Sequence, residues 1–320
     1  MNFQTSQYVK FLTKIEEAIY ECLSNFRIIS WWAIHLSVVK FTLLLKANLT
    51  AHFKARKVKR GTPPLNFADL RALKTSDRIF VFGAGPSINK ISDLEWEHIK
   101  NFDSLGFNSL FFLEKLDFTF FLLKEWGGHD PLFPRWYNVL KKLTEDISKN
   151  SFLKNTTFLL QKGISATLSN RLLGAGLWPS TLPYAEYWVD RLSRFPKVGF
   201  QGGLTHRHGT LCSVISLAVQ LGYKEIVLTG VDLTGRGYFW SPPEMSVNWN
   251  AKTGHLQYQL LDDFGKKSNE IHNTAINGVV DTVGKWREFL AANYGVNLYV
   301  YNAESLMTRV LPIYNQTVNS

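Results

Sequence analysis

The chain has 320 residues, 45% of them hydrophobic and 19% charged, a composition that buries a sizeable core and excludes a wholly disordered chain. Its two cysteines, Cys22 and Cys212, exclude a disulfide scaffold and a cysteine-based zinc site. The net charge of +10 is concentrated: residues 1–60 hold ten Lys and Arg against three Glu, which leaves only +3 for the rest. A basic N-terminus on a nearly neutral body argues for a surface that the N-terminus touches, and against a nucleic-acid groove through the core.

No signal-peptide pattern opens the chain, which predicts a reducing, cytoplasmic setting. Residues 28–45 read IISWWAIHLSVVKFTLLL, with Trp31 and Trp32 near one end and a basic cluster from Lys54 to Arg60 beyond the other. Three readings fit this run. It lies in a membrane interface with its cations toward anionic head groups, at the inner face of the cytoplasmic membrane. It packs its apolar face on the body as a helical hairpin. Or it spans a membrane, at a cost set by Lys40. Gly61-Thr62-Pro63-Pro64 then breaks the helix, because neither proline can donate to a backbone ladder. The expected organisation is a basic helical segment over 1–66 and one main domain over 67–320.

Within the main domain, Ile79-Phe80-Val81-Phe82 is a short continuous apolar run that predicts a buried parallel strand. Gly83-Ala84-Gly85-Pro86-Ser87 follows as a loop, and Ser92-Asp93-Leu94-Glu95 is a capping box that opens a helix. Further strands are predicted over 103–107, 117–123 and 157–160. Residues 209–221 are apolar nearly all round and predict a buried helix. Residues 225–231 predict another core strand. Val279, Val283, Trp286 and Leu290 share one helical face, a strand is expected over 296–301, and a helix over 303–310. Strands alternating with helices predict an α/β fold with a doubly wound, mostly parallel sheet. The weakly periodic stretch 234–273 reads as a lid.

In such sheets ligands sit beyond the carboxyl ends of the strands. That rim gathers Gly83–Ser87, Asn108, the segment after Leu123, and Gly230–Asp232. Glycines without a Cβ let backbone approach a phosphate, although the same pair also makes a tight structural turn. The Asn108 amide offers donors and an acceptor to a base or ribose edge, or ends its strand in a turn. Arg207, Gly209 and Thr210 precede the buried helix, whose free N–H groups attract an anion. Asp232 ends its strand as a loop cap or a ligand-binding carboxylate. His206 and His208 lack a third zinc ligand nearby, and no Asp-x-Asp pair occurs, so no metal site is expected. His272 is the general-base candidate by residue type, against a reading as a loop histidine before a helix.

Together these pieces resemble the bacterial sialyltransferases of glycosyltransferase family 42. The likeness rests on Gly83-Ala84-Gly85-Pro86-Ser87, on Asn108, on Arg207-His208-Gly209-Thr210 leading into Leu221-Gly222-Tyr223-Lys224-Glu225-Ile226 and Gly230-Val231-Asp232, and on His272 before a helix, a strand and Asn302-Ala303-Glu304-Ser305. It covers roughly residues 79–312. The resemblance implies a Rossmann-like nucleotide-sugar-binding domain of the family's GT-A-variant type. It implies inverting, metal-independent transfer of sialic acid or a related nonulosonic acid from a CMP-sugar to a glycan hydroxyl, in surface polysaccharide, lipooligosaccharide, lipopolysaccharide or capsule synthesis. No cofactor beyond the donor is implied. Gly83–Ser87 and Asn108 would hold CMP, Arg207 and Thr210 the phosphate or carboxylate, and His272 would deprotonate the acceptor. Tyr238 takes the place of a lid tyrosine that hydrogen-bonds the departing phosphate. Ala84 and Gly209 depart from the pattern, where the family has Asn and Thr, and Lys124 stands where it has Asn. Partners implied are the donor, a glycan or lipid-linked glycan acceptor and a peripheral membrane contact, with no nucleic acid and with homo-oligomerisation open. Two other readings share part of the pattern: an ATP- and magnesium-dependent pterin diphosphokinase with the same glycine loop, and a noncatalytic membrane-associated polysaccharide assembly factor.

Overall fold

A computed structural model describes residues 42, 46, 49–124, 136–162, 168–190, 192–199, 203–234, 238–240, 245–250, 255–260, 273–276 and 278–315. In chain order the elements are α1 (49–61), α2 (Phe67–Ala72), β1 (Arg78–Phe82), α3 (Asp93–Ile99), β2 (Asp103–Phe107), β3 (Phe120–Leu123), α4 (Trp136–Lys149) and β4 (Thr157–Gln161). Then come α5 (Leu168–Gly174), β5 (Tyr184–Asp190), β6 (Gly203–Thr205), α6 (Thr210–Leu221) and β7 (Glu225–Thr229). An antiparallel hairpin of β8 (Met245–Asn250) and β9 (His255–Leu260), then α7 (Asn273–Ile276), α8 (Val279–Tyr294) and β10 (Asn297–Val300), complete the set.

Eight strands form one parallel sheet in the order β10-β7-β1-β2-β3-β4-β5-β6. The doubly wound α/β architecture expected from the sequence is therefore present. Its cause is legible in β1, where every residue is buried. Ile79 and Val81 join the core under α6 and α8, while Phe80 and Phe82 join the core under α3, α4 and α5. A strand covered by helices on both faces has no polar side to show, so it reads as an unbroken apolar run. From β1 to β5 the intervening helices lie on one face. After β6, α6 carries the chain back on the other face to β7. The order of winding reverses between β1 and β7, and that reversal opens the crevice in which such sheets hold ligands.

Helix boundaries follow local chemistry. The Ser92 side chain accepts from Glu95 N, and the Glu95 carboxylate accepts from Ser92 N at 2.8 Å, so the expected capping box opens α3. Val279, Val283, Trp286 and Leu290 are all buried along α8, and the Trp286 indole donates to the Arg194 carbonyl at 2.8 Å. Helix α6 is buried from Leu211 to Leu221.

Several boundaries differ from expectation. The third strand begins at Phe120, because Ser104 and Thr119 tie the preceding backbone by side-chain hydrogen bonds rather than by a ladder. The helix expected over 303–310 is only a 3-10 turn, Leu306–Arg309. The chain must return there so that Val300 N can donate to the Pro312 carbonyl at 3.0 Å, which leaves no length for a longer helix. The stretch 234–273, read as an irregular lid, contains the β8–β9 hairpin.

The break at Gly61–Pro64 is a turn, and both sides of it touch the body. The Leu65 amide donates to Tyr184 O at 2.8 Å, and the Tyr184 hydroxyl donates to Thr62 O at 3.1 Å. Upstream, Ala55 of α1 is fully buried in the core shared with α3, α4 and α5. Residues 49–61 are thus packed on the body along one side, while the apolar run 28–45, for which the three readings were made, lies outside the described residues apart from Thr42. The Trp31–Trp32 pair lies outside the described residues, and among the described residues no helix is long and apolar enough to cross a membrane.

Candidate functional site

At the carboxyl ends of β1 and β7 the two strands run on into loops that interlock. Gly83 N donates to Thr229 O, and Gly85 N to Gly230 O, both at 2.8 Å. A Cβ on Gly83 would stand 2.7 Å from Gly230 O, and one on Gly230, whose φ is +63°, would stand 2.6 Å from Gly83 O. A Cβ on Gly85 would meet the Asp232 carboxylate at 2.5 Å. Glycine at these positions has a packing cause within the protein: only backbone without a side chain lets the loops approach so closely.

The Asp232 carboxylate, 6% exposed, accepts from Ser87 N at 2.9 Å and from the Ser87 hydroxyl. Burial pushes its pKa above the ordinary value, and the Ser87 bonds pull against that shift. Asp232 thus clasps the glycine loop from the β7 side, as an intramolecular cap with both carboxylate oxygens engaged. Asn302 accepts from Gly230 N at 2.8 Å, and Ser305 donates to the Val231 carbonyl. Both lie in the 302–305 motif, and neither was singled out as a site residue from the sequence.

Asn108 starts the turn after β2 at φ +57°, and Leu233 follows Asp232 at φ +58°. Among the described residues these are the two non-glycine positions in the left-handed region. Asparagine tolerates that region through local side-chain hydrogen bonding, whereas leucine adopts it only under constraint from its surroundings. Both residues follow strands that flank β1, at the rim of the crevice.

The root of the lid is stapled to the same place. Phe239 N donates to Ala84 O at 3.0 Å, and the Asn89 amide donates to Phe239 O at 2.8 Å. Tyr238 and Trp240 stack with ring centroids 4.6 Å apart, and Trp240 lies 5.5 Å from Phe112 in the turn that Asn108 opens. Burial pushes the Tyr238 phenol pKa upward, so it is held as a hydrogen-bond donor. The Trp240 indole N–H is buried with no hydrogen-bond partner among the described residues. Gly83–Ser87, Asn108 and Tyr238 thus converge at the carboxyl ends of β1 and β2.

A second group forms further along the rim. Lys124, immediately after β3, places Nζ 2.9 Å from His206 Nε2, and His206 Nδ1 lies 3.0 Å from Ser213 Oγ in α6. Gly209 caps α6 without a side-chain hydrogen bond, Thr210 is its first residue, and Arg207 beside them is exposed. The arrangement joins positive charge to the free N–H groups of a helix start, which suits an anion. His206 and Lys124 were not among the predicted site residues; their pairing depends on strands that no local pattern relates. His272 lies outside the described residues. Among the described residues, no group of three or more His, Cys, Asp or Glu is placed to hold a metal ion. A cavity of about 410 Å³ beside β6, lined by Trp188, Asp190, Lys197 and Gln220, includes none of the predicted site residues. No protein-family model and no curated protein matches the sequence.

Proposed function

We propose that the carboxyl rim of this sheet binds a CMP-activated nonulosonic acid and transfers the acidic sugar, with inversion, to a glycan hydroxyl. The observation that carries the reading is the backbone bond from Phe239 to Ala84, which ties the segment bearing Tyr238 to the glycine loop beside the point where the winding reverses. A half-buried phenol beside a nucleotide phosphate donates a hydrogen bond to the charge that develops there as the glycosidic C–O bond breaks. On this reading the Gly83–Ser87 loop and Asn108 hold the nucleotide. Arg207, Thr210 and the α6 N-terminus receive the carboxylate or phosphate of the donor. His272 takes the proton from the acceptor hydroxyl as its oxygen bonds to the anomeric carbon, and CMP departs. No step calls for a metal.

Thermal denaturation with CMP, and separately with ATP and Mg²⁺, tests the reading, because a ligand that binds only the native state raises its stability by mass action. Stabilisation by CMP in the presence of a chelator supports it. Stabilisation by ATP–Mg²⁺ without any response to CMP favours the diphosphokinase reading instead.

A further inference from the structure

Helix α1 has two faces of different character. Residues 51, 55 and 59 recur at the four-residue spacing that lines one side of a helix. That side is fixed to the body. Ala55 is fully buried, the Ala51 carbonyl sits so close to α5 that a Cβ on Gly174 would meet it at 2.6 Å, and Lys59 pairs with Glu186 at 2.6 Å. The other side carries Leu49, Phe53, Arg56, Lys57 and Arg60, again at three- and four-residue intervals, and every one of them is exposed. Phe53 is 62% exposed and Leu49 46%. No Asp or Glu occurs between Cys22 and Ala68, so nothing in this stretch offsets the basic charge.

We propose that this outer face of α1 docks the protein on an anionic phospholipid surface. Cations alone would suit any polyanion. Two large apolar side chains set among them, one turn apart, suit a layer that offers phosphate at its surface and hydrocarbon beneath it. The buried face makes the arrangement rigid, since Ala55 and Lys59 hold the helix against the body. The inference stands independently of the transferase reading.

The experiment is flotation of the full chain with phosphatidylcholine vesicles, with and without a phosphatidylglycerol component, at low and high salt. The full chain is expected to float with the anionic vesicles and not with the neutral ones, and salt should weaken the binding. The Lys57→Glu/Arg60→Glu variant should lower partitioning about tenfold or more. Phe53→Ser should remove the part of the binding that survives high salt, and Lys149→Glu, an exposed change on α4, should leave it unaltered. Since the altered side chains are exposed, unchanged thermal unfolding is expected in every variant, and the salt series on the unaltered chain needs no variant at all. Flotation of both α1 variants at the level of the unaltered chain overturns the proposal. So does failure of the full chain to bind anionic vesicles. Loss of self-association without vesicles on Phe53→Ser, with vesicle binding retained, would make the face a contact between copies and overturn it as well.

Discussion

Lys124 Nζ lies 2.9 Å from His206 Nε2, although β3 and β6, the strands they follow, stand three places apart in the sheet. Flat strands at that separation would be about 14 Å apart. The two long side chains span that gap between them, and the Tyr187 hydroxyl of β5, two places from β3, donates to Leu123 O beside them. An ammonium can only donate, so Nε2 accepts and Nδ1 carries the proton that His206 gives to Ser213. Long-range nitrogen NMR should find His206 in the Nδ1–H tautomer, and Lys124→Met should remove that bias. On the proposed reading the same variant weakens binding of a CMP-linked acidic sugar about tenfold, and of CMP less, because a charge-assisted hydrogen bond contributes about 1.5–3 kcal/mol. Equal weakening of both ligands would place Lys124 at the nucleotide instead.

The glycine loop makes a stability prediction that involves no ligand. Gly85→Ala drives a Cβ to 2.5 Å from the Asp232 carboxylate, which is itself held by Ser87 and has little room to move. Overpacking of this kind costs about 1–3 kcal/mol, to be read in urea unfolding. Gly61→Ala is the control, since nothing lies within 4 Å of its Cβ position and the residue sits at the end of a helix. It should be neutral or stabilise by about 0.5–1 kcal/mol. A Gly85→Ala variant as stable as Gly61→Ala would show that the loops are not interlocked.

Asp232 predicts a pH dependence. Its folded pKa is raised, chiefly by burial, above the ordinary 3.8 of the unfolded chain. The folded state therefore holds the proton more tightly. The stability this group contributes is complete below 3.8 and is lost as pH rises through the folded value. Asp232→Asn has no such proton. The stability difference between the natural protein and the variant should grow in favour of the natural protein on acidification from neutral pH. A difference that shrinks on acidification would mean that the Ser87 hydrogen bonds outweigh burial.

His272 carries the chemical step in the proposed mechanism. His272→Ala should lower turnover about 10²–10⁴-fold, with little change in CMP affinity, because a general base touches the acceptor proton rather than the nucleotide. The acid limb of the pH–rate profile should disappear with it. Near-normal turnover in His272→Ala, together with its loss in His208→Ala, would move the base to the α6 side of the rim.

Much of the architecture was legible in the sequence, because burial by secondary structure leaves a local period. The unbroken apolar run of β1 marked a strand covered on both faces, and the spacing of Val279, Val283, Trp286 and Leu290 marked the buried stripe of α8. The capping box at Ser92 and Glu95 was legible for the same reason, since its partners stand three residues apart. The rim itself followed from the alternation of strands and helices, since ligands in such sheets sit beyond the carboxyl ends of the strands. Tertiary structure decided what joins residues far apart in the chain. The sequence left open whether Gly83 and Gly85 make room for a phosphate or a turn; the fold sets Gly230 and Asp232 against them, from a strand more than a hundred residues away. Asp232 could have been a ligand or a cap, and its burial against Ser87 made it a clasp. Lys124 and His206, 82 residues apart, share no period that could announce their contact. The sequence left open which side of the basic cluster before Gly61 meets the body. Only the position of Glu186 and of α5 assigns Lys59 and Ala55 to the body and leaves Phe53, Lys57 and Arg60 facing out. Amphipathicity records that a helix has two faces, but which of them meets protein depends on the surface that the rest of the chain builds beside it.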